Sequence, residues 1–202
     1  MSGDGSQPGE PFFIDMKISV FGGSQPKEGD CAYAEAYALG KMLAEAGHTV
    51  LTGGYIGAME AVSRGASEGG GHVIGVTCDE IESWRPVRPN PWVKEEWHRE
   101  TLMERLQVLV EECDAAIALP GGPGTLTEIV LMWNLMIVGS MHRRPLVLVG
   151  NGWQSVFDQL FNELGAYTPE KQRELVQFAK DVETAVEQVE TGLQSLPTLG
   201  HE

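Results

Sequence analysis

The chain has 202 residues, 42% hydrophobic and 21% charged, a composition that suits one globular domain with a sizeable core. Lys plus Arg number 14 against 29 Asp plus Glu, a net charge of −15 that repels nucleic acids and anionic membranes, so the expected partner is a small molecule. Cys31, Cys78 and Cys113 stand far apart with no C-x-x-C pair, which argues against a disulfide framework or a thiolate zinc site; no metal and no other cofactor is expected.

The first 15 residues carry no basic n-region, and the chain holds no apolar run long enough for a membrane span, so a cytoplasmic location is expected. The polar, Gly-, Ser- and Pro-containing ends, 1–15 and 191–202, are expected to be flexible around a single domain at 16–190.

In chain order, short apolar runs alternate with longer helix-patterned segments. KISVF at Lys17–Phe21 predicts a strand, followed by Gly22-Gly23-Ser24. Helical spacing over Asp30–Ala46 leads to the strand TVLT at Thr49–Thr52, then Gly53-Gly54, a helix over Ala58–Glu68 and the strand HVIGVT at His72–Thr77. Cys78–Trp97 is the least regular stretch, with several prolines and Trp84, Trp92 and Trp97; leaving the carboxyl end of a strand, it reads as a lid, a subunit contact or a packed excursion.

A helix over His98–Glu112, the strand AAIAL at Ala115–Leu119, a helix over Thr125–Val138 and the strand PLVLV at Pro145–Val149 follow. A helix over Gln154–Leu164, a weaker strand at Leu175–Phe178 and a last helix over Val182–Glu190 complete the pattern. Strands this short, mostly rich in Val and Ile and bounded by Gly or Pro, suit a buried parallel sheet, so the fold class is α/β. Met132, Met136 and Met141 read as core, with a dimer face as the other option.

Glycine clusters come directly after strands: Gly22-Gly23-Ser24, Gly53-Gly54, Gly121-Gly122-Pro123-Gly124 and Gly150-Asn151-Gly152. In a parallel sheet every strand ends on one rim, so these side-chain-poor turns converge where an open α/β sheet binds ligands.

The most specific stretch is Pro120–Glu128, PGGPGTLTE, between a strand and a helix. Main-chain N–H groups of Gly121, Gly122 and Gly124, the Thr125 hydroxyl and the positive helix end together form an anion cradle. A P-loop would need a G-K-[ST] ending, and neither GGSQPKEG nor GGYIG has the G-x-G-x-x-G spacing, which disfavours Walker-type triphosphate hydrolysis and leaves dinucleotide binding a weak alternative. Glu128 falls in the predicted first turn of the helix, where the dipole favours a carboxylate: a base or cation stabiliser rather than a proton donor.

PGGPGTLTE, with Arg105 upstream in LMERL, resembles the PGG-x-G-T-x-x-E and M-x-x-R-K signatures of the LOG family, which includes cytokinin riboside 5′-monophosphate phosphoribohydrolases and relatives labelled "lysine decarboxylase-like". The turns at Gly22–Ser24 and GGYIGAM are similar to two further family features. The resemblance implies a three-layer, Rossmann-like fold, a mostly parallel sheet with helices on both faces. It also implies hydrolysis of the N-glycosidic bond of AMP or an N6-modified AMP to free base and ribose 5-phosphate, in a homodimer.

On that resemblance Arg105 and Glu128 are the catalytic residues, and Gly121, Gly122, Gly124 and Thr125 hold the phosphate. Ser24 is the polar residue of the first turn, with Gly22, Gly23, Gly53 and Gly54 beside it in nucleotide binding. The chain departs from the signatures at Leu102, Leu106 and Pro123. Taken alone, Arg105 also fits a surface salt bridge to Glu100 or Glu112. Lysine decarboxylation normally needs pyridoxal phosphate on an active-site lysine, and only Lys27 lies near a glycine turn, so that label is rejected. The competing reading is a nucleotide- or cofactor-binding carrier or sensor that performs no turnover.

Overall fold

The computed structural model describes residues 15–195, so most of the two ends expected to be flexible lies outside the described residues. A sheet of seven parallel strands has the order β4-β3-β2-β1-β5-β6-β7, with β1 at Lys17–Phe21, β2 at Thr49–Thr52, β3 at Val73–Cys78, β4 at Glu95–Arg99, β5 at Ala115–Ala118, β6 at Leu146–Val149 and β7 at Gln177–Ala179. Eight α-helices connect and flank them: α1 Cys31–Glu45, α2 Ala58–Glu68, α3 Asp79–Trp84, α4 Leu102–Glu111, α5 Pro123–Val138, α6 Asn151–Leu164, α7 Glu170–Arg173 and α8 Val182–Ser195.

Side-chain alternation along the strands divides the core into two layers. Ile18, Val20, Ala115, Ile117, Val147 and Val149 face α1, α2 and α8. Phe21, Ala116, Ala118, Leu146 and Leu148 face α4, α5 and α6. This is the expected three-layer architecture, with β1 at the centre. Met132, Met136 and Met141 are buried in the second layer, so they are core. The apolar residues α5 leaves exposed are Leu126, Val130 and Val138. No helix among the described residues is long and apolar enough to cross a membrane.

Several local expectations change: the stretch read as irregular holds the helix α3, and α6 starts at Asn151 rather than Gln154. Residues 98–101 are not helical: EEWHR forms the edge strand β4, and α4 starts only after Thr101, whose hydroxyl accepts from the Glu104 N–H in a capping box. An edge strand needs no apolar alternation on its outer positions, and charged residues there discourage pairing with another chain. At the other end α8 runs to Ser195, beyond the expected boundary at 190, because Leu193 continues the buried stripe Val182, Ala185, Val189. Finally, α5 begins at Pro123 rather than Thr125; proline lacks an N–H but suits the first helical position.

Candidate functional site

The strand order reverses at β1, with β2 on one side and β5 on the other, and ligands of open α/β sheets bind outside the strand ends at such a switch point. The turns that meet there are bound to one another. The Gly23 N–H donates to the Pro120 carbonyl at 3.1 Å, and the Ala58 N–H donates to the Gly23 carbonyl at 2.9 Å. Gly57 has φ 78°, and a Cβ there would stand 2.5 Å from the Ser24 Cα. The turns after β1, β2 and β5 thus form one rim, with Ser24 partly exposed on it.

The cradle is open. Gly121, Gly122, Pro123 and Gly124 are exposed, and the N–H groups of Gly122, Gly124 and Thr125 donate to no other described residue. These are the orphan donors of a helix start, aimed where an anion is favoured. The Thr125 side chain is buried against Gly121, where a Cβ would come within 2.2 Å of its Oγ1. Its hydroxyl therefore shapes the turn, and its N–H is the group left to a ligand.

The other glycines divide by what surrounds them. A Cβ on Gly22 would meet the Ala58 Cβ at 2.8 Å, and one on Gly53 would stand 1.9 Å from Nη2 of Arg105, whereas nothing lies within 4 Å of such an atom on Gly122 or Gly124. Gly54, at φ 76°, packs on Gly75 of the neighbouring strand. Gly22, Gly53 and Gly54 thus serve close packing beneath the rim, while Gly122 and Gly124 keep the surface clear.

Arg105, on the first turn of α4, is 5% exposed, so the surface ion pairs with Glu100 or Glu112 are not formed. Its Nε–H donates to the Val76 carbonyl at 2.8 Å and its Nη2 to the Gly53 carbonyl at 3.3 Å. The guanidinium lies 5.8 Å from the centre of the Tyr55 ring, a cation–π distance. What remains is Nη1, which faces Glu128 Oε1 at 3.9 Å.

Glu128 is 8% exposed, and its carboxyl makes no hydrogen bond to another described residue. With α5 starting at Pro123 it is the sixth helical residue, past the first turn where the dipole acts. Burial raises its carboxyl to about 7, and Arg105 pulls in the opposite direction without cancelling it. Burial thus outweighs the helix dipole expected to favour its ionised form, and near neutral pH the group is present in both protonation states.

Two residues at the site are not among the expected site residues, although Tyr55 lies within the GGYIGAM turn. Tyr55 is 3% exposed, and Asn90, 6% exposed, lies in the irregular stretch before β4. Neither residue sits in a periodic pattern. His98, the histidine nearest the rim, is on the edge strand, bonded to Asp79 and Thr77 at 2.9 Å each. With Glu82 and Glu96 it forms a group of metal-ligand type, which includes none of the cradle residues, Arg105 or Glu128. No described lysine is buried, and Lys27 is exposed, so the site offers no fit for a lysine-bound pyridoxal phosphate.

The family described as "Possible lysine decarboxylase" matches residues 59–189, a span that includes Arg105, the cradle and Glu128. A probable cytokinin riboside 5′-monophosphate phosphoribohydrolase from Oryza sativa subsp. japonica is 36% identical over 145 residues, 66% of this chain and 53% of its own length. The chain thus spans about half of that relative. The cytokinin riboside 5′-monophosphate phosphoribohydrolase of Mycobacterium tuberculosis is 31% identical over 136 residues, 67% of this chain and 71% of its own. Among solved structures, the molybdenum cofactor carrier protein of Chlamydomonas reinhardtii superposes with a TM-score of 0.70 at 26% identity, covering 90% of this chain and 100% of its own. With the family match spanning more than half the sequence and the signature residues gathered at one switch point, the chain belongs to the LOG family, the one described as possible lysine decarboxylases.

Proposed function

We propose that the protein hydrolyses the N-glycosidic bond of a nucleoside 5′-monophosphate of the AMP type, releasing free base and ribose 5-phosphate. The observation that carries this reading is the buried Arg105–Glu128 pair, 3.9 Å apart, on the same rim as an open main-chain cradle. The cradle amides hold the phosphate, which places the ribose toward Glu128. As the bond between C1′ and the base nitrogen breaks, positive charge grows on the sugar, and an ionised Glu128 stabilises it. The carboxylate takes a proton from the attacking water, whose oxygen bonds to C1′. The base leaves with the electron pair of the broken bond and is protonated from solvent. Arg105 has two of its three nitrogens committed to main-chain carbonyls, so its part is to bias Glu128 toward the charged form through Nη1.

A second reading, a carrier that binds a phosphorylated cofactor without turnover, is favoured by one observation. The molybdenum cofactor carrier of Chlamydomonas reinhardtii superposes over its full length. A carrier needs the cradle but gains nothing from a carboxylate that repels its ligand's phosphate.

The test is to incubate the full chain with AMP, N6-modified AMP, GMP and CMP and to measure free base and ribose 5-phosphate. Release from a purine monophosphate, lost in Glu128→Gln, supports the hydrolase. Binding of these ligands without release supports the carrier.

A further inference from the structure

We propose that Tyr55 and Asn90 are positioning residues for Arg105: together they hold the Gly53–Tyr55 turn against the guanidinium and so fix where it stands relative to Glu128. The turn has no regular secondary structure to hold it, yet Gly53, Gly54 and Tyr55 are all buried. Their polar groups therefore need partners from elsewhere, and Asn90 supplies them. Its backbone N–H donates to the Gly54 carbonyl at 2.8 Å. Its side-chain amide donates to the same carbonyl at 3.0 Å and to the Tyr55 carbonyl at 2.9 Å. The Asn90 side-chain oxygen accepts from the Trp92 N–H at 3.2 Å, so the amide orientation is set from both ends.

Tyr55 is fixed at its far end as well. Its hydroxyl accepts from the Cys78 N–H at 2.8 Å and lies 3.2 Å from the Cys78 carbonyl and 3.3 Å from a Glu82 carboxylate oxygen. The ring between these anchors is the face that meets the guanidinium. The stretch between β3 and β4 is accordingly a bracket for the turn after β2. The β2–β3 pairing, whose last pair is Thr52 with Gly75, and the packing of Gly54 on Gly75 hold the base of this turn near Val76; the bracket holds its outer part, where the Tyr55 ring meets Arg105.

The inference rests on Arg105 and Glu128 being the working pair, but its test needs no turnover. On the full chain, NMR follows two quantities: hydrogen exchange of the Arg105 Nε–H, and the midpoint of the Glu128 carboxyl titration. In Tyr55→Leu and Asn90→Ala the exchange is expected to rise by about tenfold or more as the local structure opens. The midpoint is expected to move upward, because the guanidinium that favours the carboxylate is no longer held beside it. Arg105→Ala marks the full upward shift. Tyr55→Phe keeps the ring but loses the hydroxyl anchor to Cys78 and Glu82, and is expected to give values between those of the wild type and of Tyr55→Leu.

Folding of each variant is checked by circular dichroism and cooperative melting, and Asn90→Ser replaces Asn90→Ala if the latter does not fold. Folded Tyr55→Leu and Asn90 variants with unchanged exchange and midpoint would overturn the proposal, as would a Tyr55→Phe protein more disturbed than Tyr55→Leu. A wild-type protein that releases no base defeats the hydrolase reading and leaves both quantities measurable. An active protein whose variants leave both unchanged defeats the positioning roles alone.

Discussion

Gly53 and Arg105 compete for one volume: a Cβ on the glycine would stand 1.9 Å from Nη2 of the arginine and 2.5 Å from the Met59 sulfur. The glycine is not needed for its backbone angle, since its φ is not among the positive ones. Its role is to leave room for a buried guanidinium that bonds to its carbonyl.

Gly53→Ala is therefore expected to fold, at a cost of about 1–3 kcal/mol for overpacking, and to displace Arg105 from its place beside Glu128. A displacement of about 1 Å at a reacting group lowers turnover by about a hundredfold. Steady-state kinetics on AMP, with thermal unfolding as the control, checks this. Wild-type turnover in Gly53→Ala would mean that Arg105 has no part in the reaction.

Glu128 ties function to stability through pH. In the unfolded chain its carboxyl titrates near the ordinary 4.5, and in the folded protein near 7. Between those values the folded state holds a proton that the unfolded state has lost, so this group makes stability fall as pH rises through the interval and level off above it. The full change is about 3 kcal/mol. Glu128→Gln removes that slope, so it is expected to be more stable than the wild type at pH 8 and similar at pH 4.5. Activity moves in the opposite sense: kcat/KM of the wild type rises with pH, half-maximal near 7, as the carboxylate forms. Glu128→Gln is expected to lose about a hundred- to ten-thousand-fold in kcat while still binding the nucleotide. Denaturant titrations at several pH values and a pH–rate profile measure both arms.

Much of this architecture was legible in the residues. The run KISVF and the turn Gly22-Gly23-Ser24 place β1, and PGGPGTLTE places the cradle, because buried parallel strands and helix-start anion sites each impose a composition of their own. Glu95–Arg99 was not legible, since an edge strand carries charge where a central strand carries Val or Ile. Nor was the chemistry of Glu128. Its helix position suggested a stabilised carboxylate, whereas burial, which depends on the whole tertiary structure, dominates its titration. Asn90 was invisible for the same reason: its importance lies in which buried carbonyls it meets, and no local pattern encodes that.

The C-terminal helix offers a check on packing beyond the expected domain end. Leu193 is 9% exposed and closes the stripe that α8 lays on the sheet. Leu193→Ala is expected to cost about 2 kcal/mol, at the low end for a buried leucine because the site is near a helix end. A change within experimental error in urea unfolding would show that the last turn of α8 contributes nothing to the core.

Gly124 separates the cradle's role in binding from any role in folding. A Cβ at this position meets nothing within 4 Å, φ is not positive, and the residue lies in the first turn of α5. Gly124→Ala should therefore stabilise the protein by about 0.5 kcal/mol, through a smaller loss of backbone entropy on folding. The added methyl group instead stands on the exposed surface where the phosphate would approach the Gly122, Gly124 and Thr125 amides. Weaker binding of AMP and of ribose 5-phosphate alike is expected, by about tenfold, one hydrogen bond to a charged group being worth about 1.5–3 kcal/mol. Adenosine, which lacks the phosphate, should bind with unchanged affinity. Calorimetric titration of the three ligands against both proteins, with a thermal melt of each, measures this. Equal losses for all three would place the phosphate elsewhere, and a destabilised variant would mean that the glycine is there for the fold.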